Sequence, residues 1–530
     1  MRSVVENMKI YEADVNYFNG IVYQMTQENE YRTAFSVRDG KIIAIGFDEE
    51  IKSIRAREQI DLQGRVVLPG MIDCHQHTFH YAEKLSEADL KKCESVEQVK
   101  EQLRITKSKN QLNDEDWLLG FGFDEQKFKE KTLPTAEDLD EVSRIQPVII
   151  TRYCMHICVV NSKVLELAGI TDCKDGVVRE TRMEQIVKMI PDKCPDKNSK
   201  KEILYRALKQ MSSCGLTGIH PIQGKFVGAM EYANLYQELY EENRLPVRVY
   251  LNFDEFPSFN MKTGFGNDFV KYGFFKIYSD GSLGTRDAAL TKPYSDAPGE
   301  CGILNYSKES ITELCKKAYD CDLQIGIHAI GDKGIEIAVD AMESCYLENP
   351  KPDIRFRLIH GTVMRQDLIE RIKKLPVIVD IQPGYTSNTN IWWSIDRLGE
   401  ERLKLSYAWN TLRKNHIMLT ASSDAPVEPV DPFWGIYSVV MRQDGNELPE
   451  GGWQPQERLS VYDAVCMYTK NAAYSSYEEK IKGTLEVGKL ADFIVIDRDI
   501  FHIPGREIKE IKVLATYVNG QCVYNAKEEI

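Results

Sequence analysis

The sequence predicts an α/β protein: a (β/α)₈ TIM barrel with a small β-sandwich domain formed from both chain termini and a helical insertion after the first barrel strand. Three observations predict it. Eight short apolar segments of strand character alternate with helical patterns through the middle of the chain. Both ends are rich in strand-like runs and turn residues, whereas the middle is not. Four of the 9 histidines, His75, His77, His328 and His360, stand at the ends of those apolar segments, where barrel strands present reactive groups.

The first element is the amino-terminal part of the sandwich, residues 1–68. NGIVYQM, YRTAFSV and KIIAIGF are β-rich, and Asp39-Gly40 is a hairpin signal. Its counterpart is 484–530, where GKLADFIVID and VLATYVNGQCVY read as strands, the second turning at Asn519-Gly520. Neither end alone has enough strands to bury a face, so one shared domain is expected.

The barrel follows over 69–483. Its candidate strands are MIDCH, LTGIH, PVRVYL, FFKIYS, LQIGIHA, FRLIHG, PVIVDIQ and IMLTASSD, with helical patterns such as KGIEIAVDAMESCYLE between them. The stretch from about 81 to 213 exceeds the repeat and reads as a largely helical insertion with extra apolar runs, WLLGFGF and PVIITRY. Loops leaving the carboxyl ends of barrel strands shape the active site, so this insertion is placed to cover the pocket.

Composition narrows the function. With 530 residues, 43% hydrophobic and 28% charged, the chain has ample material for a large core. A net charge of −14 argues against nucleic acid and anionic membranes as partners and leaves a small-molecule substrate. The 13 cysteines form no CxxC pair. Cys154, Cys158, Cys173, Cys301 and Cys321 are expected as buried thiols. The amino-terminal residues lack an apolar signal segment, and no run of 18 apolar residues occurs. A reducing, cytoplasmic setting is therefore expected; the oligomeric expectation is a homodimer.

His75 and His77 are two residues apart, so on a strand they share a face and form a natural chelate for a divalent metal. His328 and His360 each end an apolar strand. Asp424 follows the eighth segment, and a buried carboxylate there is costly without a cationic partner such as a metal. Lys276 interrupts the apolar run FFKIYS. Either it pairs with an acid such as Asp280, or its amine reacts with CO₂ to give an N6-carboxylated lysine that bridges two metals.

These residues in this order are similar to the amidohydrolase superfamily (metal-dependent hydrolases), in the branch that resembles N-substituted formamide deformylase, amidohydrolase family 3. The resembling segments are LPGMIDCHQH, WLLGFGFDEQ, HICVVNSKVLELAGI, LTGIH, KIYSDGSLGTRDAAL, IGIHAIGDKG, RLIHG, SSDAPV and GTLEVGKLADFIVIDRD. The resemblance implies metal ligation by His75, His77, Lys276, His328, His360 and Asp424, and it places His156 toward the pocket. It implies hydrolysis of a non-peptide C–N bond by a metal-activated water, with Asp424 as general base and then acid, and with His156, Asp280 or Arg286 holding the substrate. Zn²⁺ suits imidazole and carboxylate ligands, as do Fe²⁺, Mn²⁺ and Co²⁺; a carboxylated Lys276 implies two ions and an unmodified one implies a single ion. A mononuclear aminohydrolase is the nearest alternative. Related deaminases carry a Glu three residues after the fifth-strand histidine, where this chain has Gly331. A non-catalytic metal-binding barrel is the alternative from a different class.

Overall fold

A computed structural model describes residues 12–152, 157–191, 194, 196–223, 229–256, 261–387 and 390–527. The chain divides into two compact units, Phe79–Ala207 and the remainder.

The predicted barrel is present in the larger unit. Its strands are Met71–Gln76, Leu216–Gln223, Arg248–Phe253, Val270–Tyr278, Ile325–Ala329, Phe356–His360, Val377–Ile381 and Met418–Ala421. They form an 8-stranded sheet in sequential order, every pairing parallel. The strands are buried on both faces, which is why they read as unbroken apolar runs rather than as alternation. The first and last strands meet at their carboxyl ends. There the Asp424 N–H donates to the His75 carbonyl at 2.9 Å, and the His77 N–H to the Ala425 carbonyl at 2.8 Å. These bonds draw the two ends of the sheet together where the candidate ligands stand.

Helices cover the outside. Lys308–Asp320 starts from Ser307, whose hydroxyl caps the Ser310 N–H. Asp332–Glu348 buries Ile335, Ala338, Val339, Met342 and Cys345, a stripe at helical spacing.

Strands from the two chain ends share one 6-stranded sheet, because Phe493–Ile496 pairs antiparallel with Val66–Pro69. A second, 4-stranded sheet holds Ala13–Phe18 and Ala34–Arg38. Tyr17 stacks on Phe35 at 4.7 Å and meets Phe493 edge-on at 5.1 Å, so residues far apart in sequence build a single core.

The insertion carries the expected helices, Val96–Lys109 among them, and in addition a sheet that the sequence did not announce. Phe79–Ala207 contains a 5-stranded mixed sheet, in which Leu118–Phe123 and Val148–Arg152 are parallel neighbours. One face packs Leu103, Leu118 and Ile150, the other Leu119, Ile149 and Val164. Strands apolar on both faces carry no two-residue period, and the helix Val96–Lys109 dominates the pattern around them.

The cysteine expectation also needs correction. Cys158 is buried, but Cys173 is half-buried, and Cys301 and Cys321 are exposed; Cys154 lies outside the described residues. Cys321 is the carboxyl cap of a helix and Cys301 lies in an irregular segment, so their apolar neighbours in sequence do not cover them. Among the described residues, no helix is long and apolar enough to cross a membrane.

Candidate metal-binding active site

The first barrel strand sends Asp73 and His75 to one face, and His77 follows just beyond its end. His75 is buried and His77 half-buried. Asp73 accepts the His75 N–H at 3.2 Å and the Ser423 N–H at 3.1 Å, and the Ser423 hydroxyl donates to its other oxygen. This buried carboxylate therefore fixes the first strand against the end of the eighth, next to Asp424.

Asp424 Oδ1 lies 3.4 Å from His75 Nε2 and 3.3 Å from His77 Nε2. One donor atom from each of the three residues falls within 4.8 Å of the others. Zinc bonds of about 2.0–2.2 Å at tetrahedral angles put neighbouring donors about 3.4 Å apart. The two measured separations fit that edge length. Asp424 Oδ1 has no hydrogen-bond partner, whereas Oδ2 accepts the Tyr385 hydroxyl at 2.7 Å. Burial pushes the Asp424 carboxyl up, but the His75 and His77 imidazoles beside it outweigh this and hold it well below the usual carboxylate range.

His360 and His328 stand beside this cluster. Their ring centroids are 4.5 Å apart, and His360 is 5.6 Å from His75. His360 Nδ1 is 2.6 Å from Gln382 Oε1. The Gln382 amide nitrogen donates to Asp380 O and Ser422 Oγ, which identifies Oε1 as the oxygen end. Nδ1 of His360 must then carry the proton, leaving the Nε2 lone pair for a metal. His328 Nε2 faces the Gly281 carbonyl at 3.3 Å, which leaves Nδ1 as its bare nitrogen. Burial pushes His75 and His328 down to about 3 and His360 well below its ordinary value, so all three are neutral and competent to ligate. His360 and Asp424 also hold left-handed backbone conformations, φ 76° and 54°. Strain of this kind costs about 1–3 kcal/mol and collects at functional sites.

Lys276 is 1% exposed, and its Nζ has no hydrogen-bond partner. Burial pushes the amine down to about 7. It makes no ion pair with Asp280. That carboxylate accepts the N–H groups of Ala289, Ile330 and Gly331 at 2.9, 3.0 and 2.8 Å and lies 3.5 Å from His328 Nε2. Asp280 is thereby tied to backbone and placed to orient His328. Arg286 forks onto Asp296 at 3.2 and 2.7 Å. The structure thus brings Asp280 beside His328, while Arg286 is engaged by Asp296; His156 lies outside the described residues. Trp392 and Trp393 sit on the helix Asn390–Leu403, Trp392 exposed and Trp393 packed beside Leu283 and Leu398.

Asp73, Gln382 and Tyr385 were not singled out from the sequence. Asp73 shares the strand face of His75, and the other two follow the seventh strand in IQPGYT, at the barrel end where reactive groups gather. Those positions were the available signal.

Fold and site together define the class of metal-dependent hydrolases. The chain belongs to the amidohydrolase family, whose profile it matches over residues 58–524. It is 32% identical to YtcJ of Bacillus subtilis across 96% of this chain and 99% of that one. It is 23% identical to N-substituted formamide deformylase of Arthrobacter pascens across 96% and 98%. Among solved structures, an uncharacterized metal-dependent hydrolase from Pyrococcus horikoshii superposes with a TM-score of 0.75 at 28% identity, covering 93% of this chain and 99% of that one.

Proposed function

We propose that this chain hydrolyses a carbon–nitrogen bond outside peptides, in a linear amide, a formamide or a cyclic amide. The reading is carried by the convergence of His75, His77 and Asp424 donor atoms at the carboxyl end of the barrel. The formamide option draws on the likeness to N-substituted formamide deformylase.

His75, His77, His328, His360 and Asp424 would hold the metal, with Zn²⁺ the best match and Fe²⁺, Mn²⁺ or Co²⁺ compatible. When bound, such an ion supplies a water that ionises near neutrality and a Lewis acid for the carbonyl. Lys276 supplies the remaining ligand after modification. Its neutral amine attacks CO₂, a nitrogen–carbon bond forms, one proton leaves to solvent, and the neutral amine becomes a carbamate anion that would be able to serve two ions. Asp424 is ionised and therefore able to accept a proton. Its Oδ2 accepts the Tyr385 hydroxyl and keeps a second lone pair, so a proton taken there can be returned to the leaving nitrogen.

The deaminase alternative places a Glu at position 331. A Cβ there would stand 2.0 Å from the Ala289 carbonyl oxygen, so this loop leaves no room for a side chain. The 12 described cysteines are all free thiols, which supports a reducing, cytoplasmic setting.

The test is elemental analysis of protein purified without chelator or affinity metal, joined to an amine-release screen over anilides, N-substituted formamides and cyclic amides. We expect two ions per chain, one or none in Lys276→Ala, and amine release from at least one class. A protein that takes up no metal even on reconstitution would sink the proposal.

A further inference from the structure

We infer that the turn closing the seventh barrel strand, Gln382-Pro383-Gly384-Tyr385, is a positioning clip that orients two metal ligands while contributing none. The inference rests on the ligand set proposed above.

The seventh strand, Val377–Ile381, lies between the sixth and eighth strands in the sheet. Those neighbours end at His360 and lead to Asp424. The turn reaches both. Gln382 is 2% exposed, and its Oε1 accepts the proton of His360 Nδ1 at 2.6 Å. Its amide nitrogen is held in turn by Asp380 O at 3.1 Å and Ser422 Oγ at 3.0 Å. Three residues on, the Tyr385 hydroxyl donates to Asp424 Oδ2 at 2.7 Å. The Tyr385 ring lies parallel to the His360 imidazole, 7° between planes and 6.4 Å between centroids.

The turn has little freedom. Pro383–Thr386 is a single 3₁₀ turn begun by a proline, whose ring fixes its own φ, and Pro383, Gly384 and Thr386 are buried. Displacing it would disturb both ligands together. Each contact also has a chemical consequence. Gln382 selects the His360 tautomer with a free Nε2. Tyr385 occupies Oδ2 and leaves Oδ1 as the oxygen facing His75 and His77, which favours a one-oxygen ligand over a chelating one. Outer contacts of this type typically change metal affinity by about 10–100-fold.

The test uses the whole chain as Tyr385→Phe, Gln382→Met and Gln382→Glu. Each is read by chelator competition for Co²⁺, by the visible absorption of the Co²⁺-loaded protein, and by melting of the metal-free protein. Tyr385→Phe keeps the ring and removes only the hydroxyl; Gln382→Glu keeps the acceptor that Gln382→Met removes. We expect Tyr385→Phe and Gln382→Met each to weaken Co²⁺ at least about 10-fold and to alter its absorption, and Gln382→Glu to recover most of the affinity. Melting of the metal-free proteins should change little. Wild-type affinity and absorption in both Tyr385→Phe and Gln382→Met would overturn the clip while leaving the site intact. Affinity lost only in step with metal-free stability would overturn it too. A wild-type protein that binds no Co²⁺ would overturn the ligand set itself, and the clip with it.

Discussion

The Arg357 guanidinium and the Asp380 carboxylate form an ion pair at 2.8 Å with neither side chain reaching solvent. The pair links the sixth and seventh barrel strands, and its remaining bonds join it to Thr420 on the eighth strand, the Cys74 carbonyl on the first and the Ser475 carbonyl. Isolated buried charges cost more than they return, so each partner is tolerated only because the other is present. Arg357→Leu, which strands the carboxylate, is expected to destabilise the barrel by about 3–5 kcal/mol. The double change Arg357→Leu with Asp380→Leu should melt above Arg357→Leu alone, because it removes both charges. Thermal unfolding of the three proteins checks this, and a double variant that simply sums two losses would contradict it.

Lys276 gives a prediction about carbon dioxide. Its amine is pushed down to about 7, so the protonated form prevails below that pH and the neutral form above it. Only the neutral amine attacks CO₂. Carbamate, and the metal it helps to hold, should therefore rise as pH increases through about 7 and fall when CO₂ is stripped from the buffer. Intact-protein mass and metal content, measured on either side of that pH with and without bicarbonate, test it. Equal metal loading under all four conditions would make Lys276 a structural amine.

Much of this was legible in the sequence because barrel strands are apolar on both faces and their ends are marked. His328 and His360 could be placed because each terminates such a run, and His75 with His77 because a two-residue spacing on a strand fixes a common face. The insertion was legible in extent but its sheet was not, since strands such as Leu118–Phe123 lie between two cores and lose the alternation that separates strand from buried helix. Pairing of Lys276 with an acid such as Asp280 was one of two readings, because an unpaired buried lysine is costly. Asp280 instead lies beyond the strand and is captured by the Ile330 and Gly331 N–H groups, a contact 50 residues away or more. The Tyr385 contact to Asp424 joins the ends of two different strands and has no local signature.

Gly331 links that capture to the site. Its φ is an ordinary −76°, so the constraint is steric: a Cβ would stand 2.0 Å from the Ala289 carbonyl oxygen. Gly331→Ala must push the Ala289 backbone outward, which loosens Asp280 and with it the orientation of His328. Overpacking of this kind costs about 1–3 kcal/mol. A lower melting temperature together with reduced metal content is expected. Unchanged metal content in a destabilised protein would show that Asp280 supports the fold without orienting His328.

Glu478 gives the sharpest acid-stability prediction, because it is buried and its ion-pair partners, Lys482 and Lys271, are not candidate ligands. Its carboxylate lies 2.6 Å from Lys482 and 2.9 Å from Lys271, with only 5% of its side chain exposed. Burial pushes the acid up, but the two ammonium groups outweigh that and hold it at about 2, below an ordinary value of 4.5. A carboxylate depressed in the folded state stabilises the protein fully above its unfolded value. That stability is lost as pH falls from about 4.5 through about 2. The difference corresponds to a contribution on the order of 3 kcal/mol at neutral pH. Glu478→Gln should therefore lower the melting temperature most at neutral pH and progressively less as the pH drops through that window. A deficit that stays constant from neutral pH down to about 3 would mean that the loss comes from packing of the amide, not from removal of the charge between Lys271 and Lys482.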